Sequence, residues 1–431
     1  MATERTDTAL VAAGASPDGL APRLPIATYR LQLNRSFTFV DARRRVAYLD
    51  TLGVSDVYAS PYLRARAEST HGYDIADHNM LNPAIGGEEE LAALVEELHA
   101  HSMGQVLDIV PNHMGIGEAS NAWWMDVLEN GPSSLYAPFF DIDWHPLKDE
   151  LENKVLLSIL GQQYGRVLEN CELALVYADG AFYLRYWQTE LPINPRTYVE
   201  ILRVPLDRLI ETLGAEHEHV LEYQSIMTGL GHLPTRTETD RPKVVERARE
   251  KEILKRRLAA LTEAAPEVLA AIEETMRRFN GARDDPRSFD LLDALIDRQA
   301  YRLSYWRVAA EEINYRRFFD VNDLAAIRME LPEVFEATHR LIMRLLAEGK
   351  ISGLRIDHPD GLWDPAGYFR RLQQSYLEVR GQGPGARMTV NPDPRPLTPD
   401  PHSTSSPRRS WRAASACRRT GRSTGPAATT S

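Results

Sequence analysis

Gly353-Leu354-Arg355-Ile356-Asp357-His358-Pro359-Asp360-Gly361 is the stretch on which the reading of this chain turns. Its first half reads as a buried strand, and its polar residues emerge where that strand ends. In an extended strand alternate side chains share a face, so Arg355 and Asp357 lie on the same side. A guanidinium beside a carboxylate favours the ionised acid, which suits a nucleophile. Taken alone, an Asp after an apolar strand is also an ordinary turn former. The surrounding chain decides between the two.

The chain has 431 residues, enough for one large domain with insertions or for two or three domains. Asp and Glu outnumber Lys and Arg by 61 to 50, and the net charge of -11 argues against broad binding of nucleic acid or anionic membrane. Two cysteines, Cys171 and Cys417, are too few for a disulfide framework or a thiolate zinc site; Cys171 is expected to be a small residue, buried or partly buried. No apolar run is long enough to span a membrane, and Met1 to Pro25 lacks the apolar core of a signal peptide. The expectation is a cytoplasmic protein. Charge is unevenly spread: seven Arg against two Asp give Met388 to Ser431 a charge of +5 and leave -16 for residues 1–387. That segment also holds seven Pro and no Lys, Glu, Ile, Phe or Tyr, so it is expected to be a disordered tail.

After a polar leader at 1–21, Ile26 to Leu33 alternates like a strand. Asp41 is placed as the cap of a helix through Leu52, Gly53 stops it, and Val54 to Ala59 is a second strand. Glu88 to His101 sets Leu91, Leu94, Val95 and Leu98 on one helical face, and Gly104 leads into a third strand, Val106 to Val110. Much later Glu333 to Ala347 is an amphipathic helix with Phe335, Ile342 and Leu346 on one face, followed by the fourth strand, Ile351 to Asp357. A helix from Tyr368 to Val379 turns Phe369, Leu372 and Tyr376 inward. Strands alternating with helices, with polar residues at the strand C-terminal ends, predict a parallel α/β architecture of the (β/α)8-barrel kind with its site at that face. The domain plan is residues 22–111 and 332–387 as barrel, with a long insertion at 112–331. The insertion contains a strand at Ala181 to Trp187 and charged helices at Val244 to Ala259 and Pro266 to Phe279, read as solvated structural arms.

Three polar clusters sit at or just past strand ends: His71-Gly72-Tyr73-Asp74; Asp108 with Pro111-Asn112-His113; and Arg355, Asp357 and His358. Singly, turn chemistry, an Asx cap and a core ion pair account for them. Jointly, three turns gathering His, Asn, Tyr and Asp at one rim call for a shared cause. With their spacing, the clusters resemble the α-amylase superfamily of retaining α-glucosidic enzymes. Thr28 to Leu33, Pro192 to Tyr198, Asn314 to Asp320 and Gly353 to Gly361 are similar to the maltooligosyltrehalose synthase family in particular. The resemblance covers about residues 22–387. It implies an α-amylase-type barrel and an intramolecular glucosyl transfer, an isomerisation that turns the reducing-end α-1,4 bond of a maltooligosaccharide into an α,α-1,1 bond. It further implies Asp357 as nucleophile, Arg355 as its orienter, His113 and His358 as ligands of the sugar hydroxyls, and Tyr73 as a stacking surface. His71, Asp108 and Asn112 complete the substrate-binding set. It implies no cofactor or metal, and as pathway partner a trehalohydrolase acting on the product.

The family's general acid, a Glu at the end of the fifth strand, is missing: the last Glu is Glu378, and the tail offers only Asp393 and Asp400. Only about four β/α units of the barrel are therefore expected here. The tail's composition is that of a GC-rich gene read out of frame, and regrouped codons from Pro401 onward permit a fifth-strand-like reading with a Glu in an EKIL segment. A frameshift near Arg387 to Pro401 and an inactive chain are the expectation, with an internal polar linker as the rival reading of the tail. The rival readings are an α-glucan hydrolase or transglucosidase sharing the nucleophile, and a non-catalytic fragment that binds maltooligosaccharide.

Overall fold

The computed structural model describes residues 24–381 apart from Glu118. The leader at 1–21 and the tail at 388–431 lie outside the described residues. The chain forms two compact units, one of Met1–Val110 with His339–Asp357, the other of Pro111–Thr338 with His358–Ser431.

In the first unit Thr28–Leu31, Asp56–Ala59, Gly104–Ile109 and Gly353–Ile356 hydrogen-bond in that order, every neighbour parallel. This is the expected α/β alternation; among the described residues it is an open four-stranded sheet, with no closed barrel. The first strand starts two residues later than alternation predicts, because the N–H groups of Ile26 and Ala27 donate to Ser55 Oγ instead of to a strand. The helix expected from Asp41 to Leu52 is two short helices, Phe39–Arg43 and Val46–Thr51. Its cap is Thr38, and Asp41 is the third helical residue, its carboxylate accepting from the Thr38 N–H at 3.0 Å to close a capping box. Glu88–Ala100 buries Leu91, Leu94, Val95 and Leu98, as the 3.6-residue period requires. These pack with Leu107, Ile109, Leu341, Leu345 and Ile351 into one core. The fourth strand is half-exposed where a buried one was expected, because it forms the edge of the sheet.

His78 in the first unit is 2 % exposed, with its Nε2 3.5 Å from the Val110 carbonyl. Burial pushes its imidazole down to about 4. The unfolded chain binds that proton near the ordinary 6.5, so stability present above pH 6.5 is lost as pH falls toward 4, by roughly 3 kcal/mol in all. Urea titrations at pH 7 and pH 4.5 on the protein and on His78→Gln should show that loss shrinking in the variant.

The second unit contains the antiparallel meander Leu173–Ala178, Ala181–Tyr186 and Thr189–Pro192. Its first hairpin turns on Asp179 and Gly180, with φ of +48° and +78°, the two left-handed residues of a type I′ turn. The second strand ends at Tyr186 because Trp187 also takes a positive φ, +53°. A Cβ on Gly180 would fall 2.0 Å from the Lys255 carbonyl oxygen. Gly180→Ala should therefore cost about 2 kcal/mol or more, since left-handed strain adds to a backbone clash, measured as a drop in urea midpoint.

The charged helices are Arg241–Ala264 and Pro266–Phe279, and the reading of them as solvated arms is corrected for the first. Arg247 is 0 % and Lys251 5 % exposed. Lys251 donates to Asp126 at 2.8 Å and, with Lys255, to Glu129. Arg247 donates to Asn130 and Asn194 at 3.0 and 2.8 Å. Buried charge persists where each ion finds partners; although burial opposes it, the two lysines hold the Glu129 carboxyl below its usual range. In the last helix, Pro365–Gly381, Tyr368 and Leu372 are buried while Phe369 points out, against the expected inward face. Cys171 is exposed, not buried: it sits just past the helix Tyr164–Glu169 with φ of +59°, where the chain turns away.

Candidate active site

In the parallel register Arg355 lies directly opposite Asp108. The strand continues one residue further, since the Asp357 N–H donates to the Ile109 carbonyl at 2.9 Å, and alternation then brings the Asp357 carboxylate to the same side as Arg355. One guanidinium nitrogen, NH1 of Arg355, donates to Asp108 Oδ1 at 3.0 Å and to Asp357 Oδ1 at 2.6 Å. The other oxygen of Asp108 accepts from the Tyr58 hydroxyl at 2.6 Å, from the Tyr73 hydroxyl and from Arg30 at 3.4 Å. Arg30 in turn lies over the Tyr58 ring at 4.7 Å and donates to the Tyr73 hydroxyl at 2.9 Å.

Two carboxylates and two guanidiniums thus balance charge in one cluster. Their exposure separates their roles. Asp108 is sealed at 0 %, while Asp357 keeps 17 % of its side chain accessible, and its second oxygen accepts no hydrogen bond among the described residues. Burial works against the charge on Arg355, but its bonds to Asp108 and Asp357 outweigh that and raise its pKa. Burial first, and the Asp108 charge with it, raises the Tyr58 and Tyr73 phenols, so both remain donors. The cluster is a fixed cationic clamp behind one carboxylate with a spare oxygen, an arrangement able to present a nucleophile.

His71 borders the clamp without its side chain joining it: Gln32 donates to the His71 carbonyl at 3.0 Å and accepts from Arg30 at 3.0 Å. The His71 Nδ1 accepts the Tyr73 N–H at 3.0 Å and the ring centroid lies 6.1 Å from that of Tyr73, so the contact its side chain makes is local turn chemistry.

Asn112, His113 and His358 belong to the second unit. Asn112 and His113 are 1 % and 0 % exposed. Arg316 ties three segments of that unit, donating to Asn112 Oδ1 and the Gly361 carbonyl at 3.0 Å each and to Asp141 at 3.0 Å. The His113 ring packs on Phe318 with centroids 4.2 Å apart, and the His358 ring meets Phe318 and Phe319 at 5.0 and 5.3 Å. His358 takes a left-handed φ of +46°. Gly361 must be a glycine beside it, because a Cβ there would stand 2.3 Å from the His358 ring.

Arg30, Tyr58, Arg316 and Phe318 escaped the list of candidates. A charged or phenolic residue in mid-alternation on an apolar strand was the available signal for the first two. Among the described residues no group of three or more His, Cys, Asp or Glu could hold a metal ion, and no helix is long and apolar enough to cross a membrane.

The family model for the alpha amylase catalytic domain matches residues 43–192. A putative maltooligosyl trehalose synthase of Mycobacterium tuberculosis (strain ATCC 25618 / H37Rv) is 33% identical over 356 residues, covering 81% of this chain and 33% of that protein. The structure of maltooligosyltrehalose synthase from Arthrobacter ramosus is similar with a TM-score of 0.56 and 34% identity, over 82% of this chain and 34% of the other. An intracellular maltogenic amylase of Bacillus subtilis (strain 168) is 36% identical over 106 residues, 25% of this chain and 17% of that protein. The chain spans about a third of the length of the two synthase relatives.

Proposed function

We infer that this chain belongs to the α-amylase-type family on its maltooligosyl trehalose synthase branch, and from that premise that it carries the nucleophilic half of a retaining α-glucosidic site. The carrying observation is Asp357, held at 2.6 Å by a guanidinium that Asp108 anchors, with one oxygen left over. In the proposed reaction that oxygen attacks the anomeric carbon of the penultimate glucose unit of a maltooligosaccharide. The α-1,4 bond breaks, its electron pair leaves on the departing O4, and a glycosyl ester forms on Asp357. A carboxylic acid roughly 5 Å away must protonate O4 as it leaves. The released glucose then turns and attacks through its own anomeric hydroxyl, whose proton passes to the conjugate base of that acid; the ester bond breaks, its electron pair returns to the Asp357 carboxylate, and the α,α-1,1 bond forms. Isomerisation without hydrolysis requires that water be kept out.

In this reading His113 and His358 bind sugar hydroxyls, Tyr73 borders the sugar, Asn112 and Asp108 support the site, and His71 contributes from its turn. The four parallel strands are the first four of a (β/α)8 barrel; residues 22–111 and 332–387 are assigned to it, of which 22–23 and 382–387 lie outside the described residues, and 112–331 to an insertion. The edge strand Gly353–Ile356 is then where a fifth strand adds. A cytoplasmic setting and a trehalohydrolase that consumes the product complete the proposal.

To these 431 residues, in which no Glu follows Glu378, the proposal assigns the nucleophile and no acid. With maltopentaose we expect saturable binding and no change in reducing power, whereas isomerisation lowers it and hydrolysis raises it. α-Maltotriosyl fluoride bypasses the acid, because fluoride departs without a proton. It should give a maltotriosyl adduct on the intact protein by mass spectrometry. Binding of maltopentaose with no adduct from the fluoride would reduce the chain to a carbohydrate-binding protein.

A further inference from the structure

The second unit holds a cavity of about 630 Å³ built partly by the Pro192–Tyr198 motif, which the chemistry above does not use. Its lining carries five cations and two acids, against the chain's overall charge of -11. Two of the cations are matched: Lys154 reaches Asp297 at 2.9 Å and Arg298 reaches Glu200 at 2.6 Å. Arg196, Arg203 and Arg236 are left without an ion pair among the described residues.

The two better-anchored guanidiniums are aimed by backbone carbonyls. Arg196 donates to Leu233 O, and Arg236 to Asn153 O at 2.6 Å. Each spends one N–H in this way and keeps the rest. Their charges also crowd Arg247: burial, with Arg196 and Arg236 adding to it, pushes that guanidinium down to about 10 despite Glu129 and Asp126 nearby. Arg236 feels the charge of Asp297 without pairing with it, and the three arginines together outnumber the acids around them; like charges in excess destabilise a fold, and an anion would relieve them. The lining also excludes ligand classes. It has no aromatic ring to stack a base or a neutral sugar face, and of its remaining polar groups Asn194 and Thr197 are already engaged inside the protein, which leaves Thr235 to meet a hydroxyl. The volume lies in the range of small-metabolite sites.

We propose that this cavity binds a phosphomonoester dianion, carried by a small sugar phosphate or present as free phosphate, through Arg196, Arg203 and Arg236. Guanidinium forks match phosphate oxygens in geometry and charge.

The test is calorimetric titration of the full chain at low ionic strength with inorganic phosphate, glucose 6-phosphate and glucose. Saturable heat with both phosphates and none with glucose is expected. Tighter binding of glucose 6-phosphate identifies a sugar phosphate as the ligand, and equal or tighter binding of inorganic phosphate identifies the free ion. Arg203→Gln and Arg196→Gln should each weaken binding about tenfold. Arg203 is exposed and unpaired, so its variant keeps the test decisive even where a change at half-buried Arg236 unfolds the unit. No saturable binding of either phosphate, or unchanged binding in an Arg203→Gln protein that melts at the parent temperature, overturns the proposal and leaves the arginines as loop anchors.

Discussion

Asp108→Ala should lower the stability of the first unit by about 2–4 kcal/mol, chiefly from the donors that lose their buried acceptor, since Arg30 and Arg355, 36 % and 44 % exposed, keep water around the charges left behind. Its carboxylate, 0 % exposed, is the common acceptor for Arg30, Arg355, Tyr58 and Tyr73. Without it two guanidiniums face each other across the sheet and two phenols lose an acceptor inside the protein, each such loss costing about 1–3 kcal/mol. Urea unfolding followed by circular dichroism reads the effect. A double-mutant cycle with Arg355→Met locates its source: if the charge left on Arg355 carries much of the penalty, the double variant is less destabilised than the two single changes summed. Strict additivity would mean that the two groups are not coupled, and the clamp would be an accident of proximity.

Asp357→Asn should suppress the fluoride-derived adduct by about 10⁴-fold or more, some 5.4 kcal/mol of barrier at 1.36 kcal/mol per tenfold, because an amide oxygen is not a competent nucleophile. The fold should hardly notice. Arg355 is 44 % exposed and retains Asp108, so the expected stability change is within about 1 kcal/mol. Binding of maltopentaose should persist in the same variant. That combination separates loss of chemistry from loss of structure; an adduct that forms undiminished on the Asn variant places the nucleophile elsewhere.

The strands were legible because apolar alternation is local, and so was the meeting of Arg355 with Asp357, two residues apart on one strand. The partners that give the clamp its character were not. Arg30 and Tyr58 reach Asp108 across strands from 78 and 50 residues away, and no short window of sequence contains both ends of such a contact. The same holds for Lys251, whose carboxylates lie 125 and 122 residues upstream. Its helix read as solvated because only its own charges were in view. The break after Arg43 failed to show because Arg44 and Arg45 are good helix formers, and the kink lies in how the two short helices pack. Thr38 was passed over as a cap although Asp41 three residues on completes the capping-box pattern; that signal was present and misread.

The clamp joins residues 247 apart in the chain, Arg355 to Asp108. During synthesis at roughly 5–20 residues per second, about 10–50 s separate the emergence of the third strand from that of the fourth. Through that interval Gly104–Ile109 must wait with one edge open and Asp108 without its second guanidinium. The carboxylate proposed to do chemistry is therefore installed last. A nascent chain cannot present it before the unit that holds it has closed, and mistakes in the intervening 228 residues from Pro111 to Thr338 are made while the sheet is still exposed to other chains.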